Sequence, residues 1–209
     1  MYISRLRLRR DVSPESIWHI NTSTYGLHKQ LWRMMPGDQR SFLYRYNTDR
    51  DEALVISKSE PAPNQNVWLL ETKPFKPRLA AGQLLNFQLR FSPARRKERK
   101  RYDPIAAYRR EHNCNWAEAV DAALNKWFHD RVDRLGFQVV QMVVDNYRQE
   151  KFTRRGNNIQ FPVVDVRGVL KVTDQDAFQN TLKTGIGASK AFGCGMLLVA
   201  PTQYVDVDD

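Results

Sequence analysis

The stretch TYGLHKQLWR, residues 24–33, is the part of the chain around which the other elements can be ordered. Leu27, Leu31, Met34 and Met35 recur at the i, i+4, i+7 and i+8 spacing of a buried helical stripe. A Pro-Gly-Asp sequence follows and ends the predicted helix. The stretch therefore predicts a helix with one face in a protein core.

A second face of the same helix carries polar chemistry. Tyr25, His28, Lys29 and Trp32 lie at i, i+3, i+4 and i+7, and Arg33 flanks them. A phenol, an imidazole and cations close together are groups that proteins use for proton transfer near a phosphate. The alternative is an ordinary solvated face with one stray histidine, so the choice depends on the rest of the chain.

The composition favours a folded protein with a polyanionic partner. The 209 residues allow one large domain or two small ones, and 42% hydrophobic residues can form a core. Lys and Arg number 33 against 23 Asp and Glu, which gives a net charge of +10. A soluble chain this basic usually meets nucleic acid, although a basic surface that only aids solubility is the alternative.

The sequence lacks the marks of secretion, membrane insertion and metal binding. The N-terminus alternates apolar and basic residues instead of forming an apolar block, and no run of about 18 apolar residues occurs. Cys114 and Cys194 are isolated, and the four histidines form no zinc-type cluster. We therefore expect a cytoplasmic protein with no membrane association, no disulfide and no metal.

The first half of the chain predicts a ferredoxin-like unit. Ser13 and Pro14 begin a helix that is interrupted near residues 21–23, and Thr24 caps its second piece. The order strand, helix, strand, strand, loop, strand is that of RNA-binding modules of the RRM type, with the second helix short or absent. Strands are predicted at residues 2–9, 41–46, 53–57, 67–72 and 84–91.

A basic run separates the two halves of the chain. The sequence RRKERKR, residues 95–101, follows Pro93. We predict a linker over residues 93–103, between an N-terminal domain at 1–92 and a C-terminal domain at 104–209. The run is interpreted either as a phosphate-binding arm or as a solvated linker kept extended by charge repulsion.

The second half predicts helices that alternate with strands. Asp103-Pro104 begins a short helix, and Asn115 caps a long one that Gly136 ends. Thr173 caps a later helix over residues 174–183. The strands are predicted at residues 137–147, 159–172 and 196–200.

The segment between the two long strands is a predicted RNA contact. Residues 148–158 form a hairpin tip with turn residues Gly156 and Asn157. A basic hairpin of this length could lie along an RNA groove, whereas the alternative is an ordinary surface loop. Its cations are Arg148, Lys151, Arg154 and Arg155.

A glycine-rich run, GIGASKAFGCG, occupies residues 185–195. Its glycines let backbone N–H groups approach an anion, and Ser189 and Lys190 add a hydroxyl and a charge. The spacing is not that of a Walker A loop, and the run follows a helix instead of a strand, unlike a dinucleotide-binding turn. We therefore expect no nucleotide cofactor, while contact with a phosphate of a polymeric ligand stays open.

Three motifs together resemble the CasE family, the CRISPR repeat-processing endoribonucleases of the type I-E Cascade complex. They are Tyr25-x-x-His28, the glycine-rich run continued to Pro201, and Lys73-Pro-Phe-Lys-Pro followed by Gly82-Gln and a strand ending at Pro93. The resemblance runs from residue 1 to about residue 201, and the glycine-rich run is its most specific part.

The resemblance implies an α+β fold of two ferredoxin-like domains in tandem. It also implies metal-independent cleavage of CRISPR precursor RNA at the base of the repeat stem-loop. The products are a 5′-hydroxyl and a 2′,3′-cyclic phosphate, and the mature guide RNA stays bound with the other Cascade subunits. His28 matches the family's catalytic histidine and Tyr25 its catalytic tyrosine. Arg33 takes the place of a basic residue that is lysine in some relatives.

The residues fit this chemistry, because RNA carries its own nucleophile in the 2′-hydroxyl. His28 can act as general base or acid, and whether His28 or Tyr25 is the acid stays open. The expected RNA-binding residues are Lys29, Arg148, Lys151, Arg154, Arg155, Ser189 and Lys190. A non-catalytic RNA-binding module of a ribonucleoprotein and a basic DNA-binding protein are the other hypotheses.

Overall fold

A computed structural model describes residues 1–13, 24–37, 40–64, 66–98, 100–154 and 157–202. Thr24, Tyr25, Lys97, Lys100, Arg154 and Asn157 are described by their backbone alone. The predicted helix that begins at Ser13-Pro14 lies outside the described residues. In the described part of the chain, no helix is long and apolar enough to cross a membrane.

The first part of the chain forms a four-stranded antiparallel sheet covered by one described helix. Its strands stand in the order β2-β3-β1-β4, the antiparallel order of a ferredoxin-like unit. The described residues between β3 and β4 contain no helix, as the sequence suggested. The elements are β1 (Tyr2–Leu8), α1 (Thr24–Arg33), β2 (Phe42–Asn47), β3 (Glu52–Ser57) and β4 (Trp68–Pro74).

The predicted apolar stripe of α1 is confirmed. Leu27, Leu31 and Met34 retain at most 2% of their accessible surface, and they pack with inward-facing residues of the sheet such as Leu6 and Val55. Burying side chains of this size contributes about 1.5–3 kcal/mol each, so the stripe fixes how the helix is rotated against the sheet. This rotation decides where His28 lies.

The rest of the chain forms a second ferredoxin-like unit. Its sheet has the antiparallel order β10-β5-β9-β8, so the tandem fold is confirmed. The elements are β5 (Leu84–Phe91), β6 (Arg95–Lys97), β7 (Lys100–Tyr102), α2 (Pro104–His112), α3 (Trp116–His129), α4 (Val132–Leu135), β8 (Phe137–Arg154), β9 (Asn157–Val172), α5 (Gln175–Thr184) and β10 (Leu197–Pro201).

Two of the second unit's helices begin where predicted, but the predicted long helix is two helices, because α3 ends at His129 and Gly136 ends the short α4. Asn115 accepts from the Glu118 amide and begins α3, and Asp103 accepts from the Ile105 amide to begin α2. Asp174, not the predicted Thr173, caps α5 by accepting from the Ala177 amide. Thr173 and Asp174 both precede the first turn of α5, and the Asp174 carboxylate is the group that reaches the Ala177 amide.

Two predictions of chain organisation are wrong. β5 pairs with β9 and β10, so the strand that we placed in the N-terminal domain belongs to the second sheet. The basic run is not an extended linker, because β6 and β7 pair as a short hairpin. Arg95 of this hairpin forms an ion pair with Asp130 at 2.8 Å, which ties the hairpin to the end of α3. The run of basic residues suggested a domain boundary, but it lies within the second unit, as a hairpin between β5 and α2.

The two long strands extend further than predicted. β8 and β9 pair from Phe137 with Val172 out to Arg154 with Asn157, so the predicted tip at 148–158 is mostly regular ladder. The polar residues of this segment suggested a loop, but Phe152, Ile159 and Phe161 of the ribbon pack in an apolar cluster with Phe192 and Cys194. Residues 155–156 lie outside the described residues.

One carboxylate joins the two units. Asp165 of β9 accepts two hydrogen bonds from Arg90, at 2.7 and 3.2 Å, and one from Arg148 at 3.0 Å. Arg45 of β2 approaches it at 3.7 Å from the first sheet. Burial alone raises the pKa of Asp165, but its arginine partners outweigh burial and hold that pKa below the usual value for aspartate.

We expect Asp165→Asn to lower the free energy of unfolding at pH 7 by about 2–3 kcal/mol, because the arginines lose a buried partner. A depressed carboxyl pKa stabilises the fold above the unfolded pKa, near 3.9, and this stabilisation is lost as the pH falls through the lower folded pKa. Urea denaturation of wild type and variant should therefore converge as the pH falls below about 4.

Asp145→Asn is the matched control for this experiment. Asp145 pairs with Arg167 at 3.1 Å on the same ladder, but both side chains are well exposed. We expect a change of at most about 1 kcal/mol there. Equal losses for the two variants, or a difference that persists at low pH, would contradict the role given to Asp165.

Candidate active site

His28 lies in the middle of α1, between the buried face and the exposed face of the helix. Its neighbour Leu27 is buried in the first sheet, while His28 itself is half-buried. The Nδ1 atom of the imidazole is enclosed by protein. The ring is thus held by its surroundings without being fully removed from the surface.

Four aromatic side chains, which we call the aromatic cage, surround the imidazole. Trp32, one helical turn later, meets it edge-on with ring centroids 5.5 Å apart. Phe42 and Tyr44 of β2 are stacked beside it at 5.9 and 6.3 Å. Phe192, from the other end of the chain, lies 6.4 Å away. Such a cage fixes the orientation of the ring and keeps water from several of its sides.

The glycine-rich run delivers Phe192 to this place. Lys190–Phe192 form a single 3₁₀ turn, and the Tyr44 hydroxyl donates to the Ala191 carbonyl oxygen at 3.2 Å. Phe192 also packs on Phe152 of β8, with ring centroids 4.7 Å apart. The structure therefore brings His28 together with the glycine-rich run, two motifs separated by more than half of the chain.

Two cations lie close to this turn. Lys190 donates from Nζ to the Thr184 carbonyl oxygen at 2.7 Å. Burial lowers the pKa of Lys190, and the nearby positive charges of Arg40 and Arg134 lower it further. Burial also lowers the pKa of Arg40, which interacts electrostatically with Tyr44. The sequence placed Trp32 on the face of His28 and Phe192 in the glycine-rich run. It did not identify Arg40, Phe42 or Tyr44 as site residues, because no period or motif links them to His28.

The other predicted catalytic residues, Tyr25 and Arg33, lie on or at the end of the same helix as His28. Tyr25 lies in α1, three positions before His28, and its side chain is outside what is described. Arg33 is exposed and lies about 140° around the helix from His28. It lines a different cavity, of 380 Å³, with Met34, Pro63 and Asn64. Arg33 is therefore not brought against the imidazole.

The predicted RNA-binding residues are distributed over both units. Lys29 is exposed on α1, and Lys151 is exposed on β8. Arg148 already holds Asp165 and Glu150, the latter at 3.3 Å. Arg154 ends β8, and Arg155 lies outside the described residues. Ser189 precedes the 3₁₀ turn with a left-handed backbone, φ 56°.

The glycine-rich run serves packing inside the protein. The amides of Gly185, Ile186, Ala188 and Gly195 donate to carbonyl oxygens of the protein at 2.6–3.2 Å. These four amides are therefore not available to an anion. A Cβ atom on Gly185 would lie 2.8 Å from the Gly195 carbonyl oxygen and from a methyl group of Leu43. Only glycine allows this approach between the run and β2.

The described residues contain no cluster of three or more His, Cys, Asp or Glu side chains placed to hold a metal ion. Cys114 and Cys194 are free thiols. Burial raises the pKa of Cys194 to about 12, so its thiol stays neutral.

Comparisons with known proteins agree with the motifs. Residues 1–201 match the family model described as CRISPR associated protein. The chain is 33% identical to the CRISPR-associated endoribonuclease Cse3 of Thermus thermophilus, over 84% of this chain and 87% of that protein. It is 26% identical to the CRISPR system Cascade subunit CasE of Escherichia coli, over 96% of this chain and all of that one.

The same similarity holds in three dimensions. A solved structure of Thermus thermophilus Cse3 bound to an RNA representing a pre-cleavage complex superposes with a TM-score of 0.72. The match covers 96% of this chain and 98% of that one at 25% identity.

We expect Gly185→Ala to lower the free energy of unfolding by about 2 kcal/mol more than Gly82→Ala. Both glycines have positive φ, +76° and +82°, so both variants carry backbone strain. Only at Gly185 does the new methyl group collide with other atoms, since nothing lies within 4 Å at Gly82. Urea denaturation measures both, and equal losses would show that close packing of the run is not needed.

Proposed function

The chain belongs to the CasE family of CRISPR-associated proteins, and from this premise we propose that it is an endoribonuclease that cuts CRISPR precursor RNA. The cut falls within each repeat, at the base of its stem-loop. The observation that carries this proposal is the placement of His28 in the aromatic cage, next to the turn that bears Lys190. A proton-transfer group and a cation at one surface are what phosphodiester cleavage needs.

The reaction uses the RNA's own 2′-hydroxyl as nucleophile. Its proton leaves to a base, the 2′-oxygen bonds to phosphorus, and the bond from phosphorus to the 5′-oxygen breaks. The leaving oxygen takes up a proton, so the products are a 2′,3′-cyclic phosphate and a 5′-hydroxyl. Every atom of the new bonds comes from the RNA, and no metal ion is required in this scheme.

His28 transfers one of these protons. Its Nδ1 is enclosed, so Nε2 is the nitrogen that exchanges a proton with the substrate. Tyr25, one turn earlier on α1, handles the other proton or positions the 2′-hydroxyl. Lys190 stabilises the charge of the phosphorane, with Arg40 nearby. Arg33 is kept as a proposed catalytic residue on the resemblance alone.

The RNA stem lies along the β8–β9 ribbon. This ribbon reaches beyond the sheet, and Phe152 near its end touches Phe192 of the cage, so a stem on the ribbon passes close to His28. Lys151, Arg154 and Arg155 contact its phosphates. We further propose that the protein works in the cytoplasm and keeps the mature guide RNA. It binds other Cascade subunits, since its Escherichia coli relative is named a Cascade subunit.

We expect His28→Ala to slow cleavage of the repeat stem-loop by about 10²–10⁴. Binding of the same RNA should be nearly unchanged, because the variant removes a proton-transfer group and not a phosphate contact. Single-turnover cleavage with enzyme in excess measures the first quantity, and filter binding measures the second.

His129→Ala is the matched control, because His129 is exposed at the end of α3 in the second unit. It should cut like wild type. If His28→Ala cut at the wild-type rate, the site would be misplaced. If wild type and His28→Ala both bound the RNA and neither cut it, a non-catalytic RNA-binding module would replace this proposal.

A second variant tests the cation. We expect Lys190→Ala to lower the single-turnover rate by about 100-fold at saturating enzyme, because a donor to the developing charge is removed. Lys171→Ala, an exposed lysine on β9, should leave the rate unchanged. A loss of binding with no loss of rate in Lys190→Ala would assign Lys190 to RNA binding alone.

A further inference from the structure

A basic cavity of 620 Å³ opens beside the glycine-rich run. It lies between the β6–β7 hairpin, the ends of α3 and α4, and the last turn of α5. Among the residues that the structure describes, no acidic side chain lines it. Its cations are Arg95, Arg96, Arg131, Arg134 and Lys190.

Two of these cations are held in place by the fold. Arg95 pairs with Asp130 at 2.8 Å. Arg131 donates to the Trp127 carbonyl oxygen at 2.7 Å, and its guanidinium lies 4.1 Å over the Trp127 ring. Arg96 and Arg134 are exposed. The single carboxylate of Asp130 does not balance the five cations of the lining, so the cavity favours an anion electrostatically.

The cavity is continuous with the candidate active site. Lys190 belongs both to the cavity lining and to the turn that carries Phe192. Arg134, which lines the cavity, and Arg40 are both near enough to Lys190 to lower its pKa. Positive charge therefore runs from Arg40, through Lys190, to Arg134 and Arg131.

We propose that this cavity binds the phosphate backbone of unpaired RNA that flanks the repeat stem-loop, an inference that rests on the proposed function. A single strand can enter a concave site, whereas a duplex presents its phosphates on a convex surface. Trp127 is almost fully buried under Arg131, so it offers no face on which a base could stack. The contact is therefore with phosphates and does not depend on base sequence.

Arg134→Gln tests the cavity, with Arg110→Gln as the control. Arg134 lines the cavity and is exposed, and Arg110 is an exposed arginine on α2 with the same charge. Two RNAs are compared by filter binding, the repeat stem-loop alone and the same stem-loop with a few unpaired uridines on each side. A 2′-deoxy nucleotide before the scissile phosphate prevents cleavage in both.

We expect Arg134→Gln to weaken binding of the flanked RNA roughly tenfold, as for one lost charge-assisted hydrogen bond. The slope of log K against log salt for that RNA should become shallower by about 0.7. The stem-loop alone should bind both variants like wild type, and Arg110→Gln should not change either RNA. No loss, or an equal loss on both RNAs, would overturn the proposal.

Failure of this inference and failure of the proposed function are distinguishable. Wild-type protein that cuts the all-ribose RNA but shows no flank-dependent loss in Arg134→Gln refutes the cavity and leaves the nuclease standing. Wild-type protein that shows the flank-dependent loss but never cuts the RNA refutes the nuclease and leaves the cavity as an RNA-backbone site.

Discussion

The candidate site depends on the close packing of the glycine-rich run against the first sheet. Gly185 touches Leu43, and Tyr44 donates to the Ala191 carbonyl oxygen, so the last part of the chain is held on β2. The same strand supplies two walls of the aromatic cage around His28. Asp165, with arginines from both sheets, adds a second link between the units. A site made from both ends of the chain requires that the two units keep one arrangement.

This arrangement also brings several positive charges together around Lys190. Lys190 sits where the cage and the basic cavity meet, and its pKa is lowered because burial and neighbouring cations both disfavour the charged form. Holding like charges together costs free energy in the unbound protein, and a polyanion relieves that cost on binding. Part of the excess positive charge thus lies along a path that RNA phosphates can occupy under the proposed function.

Local patterns predicted much of the fold, because the period of apolar residues and the caps of helices act over a few residues. The stripe of α1, the Asn115 cap and the strand at 84–91 were all visible in this way. Which sheet β5 joins depends on pairing with β9, about 80 residues later, and no local pattern encodes that. His28 was found because it belongs to a short local motif. Arg40, Arg131 and Arg134 belong to no motif, and they became site candidates only because the fold brings them together.

The most direct test of the central claim is the chemistry of the product ends. The purified protein is incubated in EDTA with its own repeat stem-loop RNA, and with the same RNA bearing a 2′-deoxy nucleotide before the scissile phosphate. We predict one cut that leaves a 2′,3′-cyclic phosphate and a 5′-hydroxyl, and no cut in the deoxy RNA. Cleavage of the deoxy RNA, a 5′-phosphate product or dependence on added metal would contradict attack by the 2′-hydroxyl at His28.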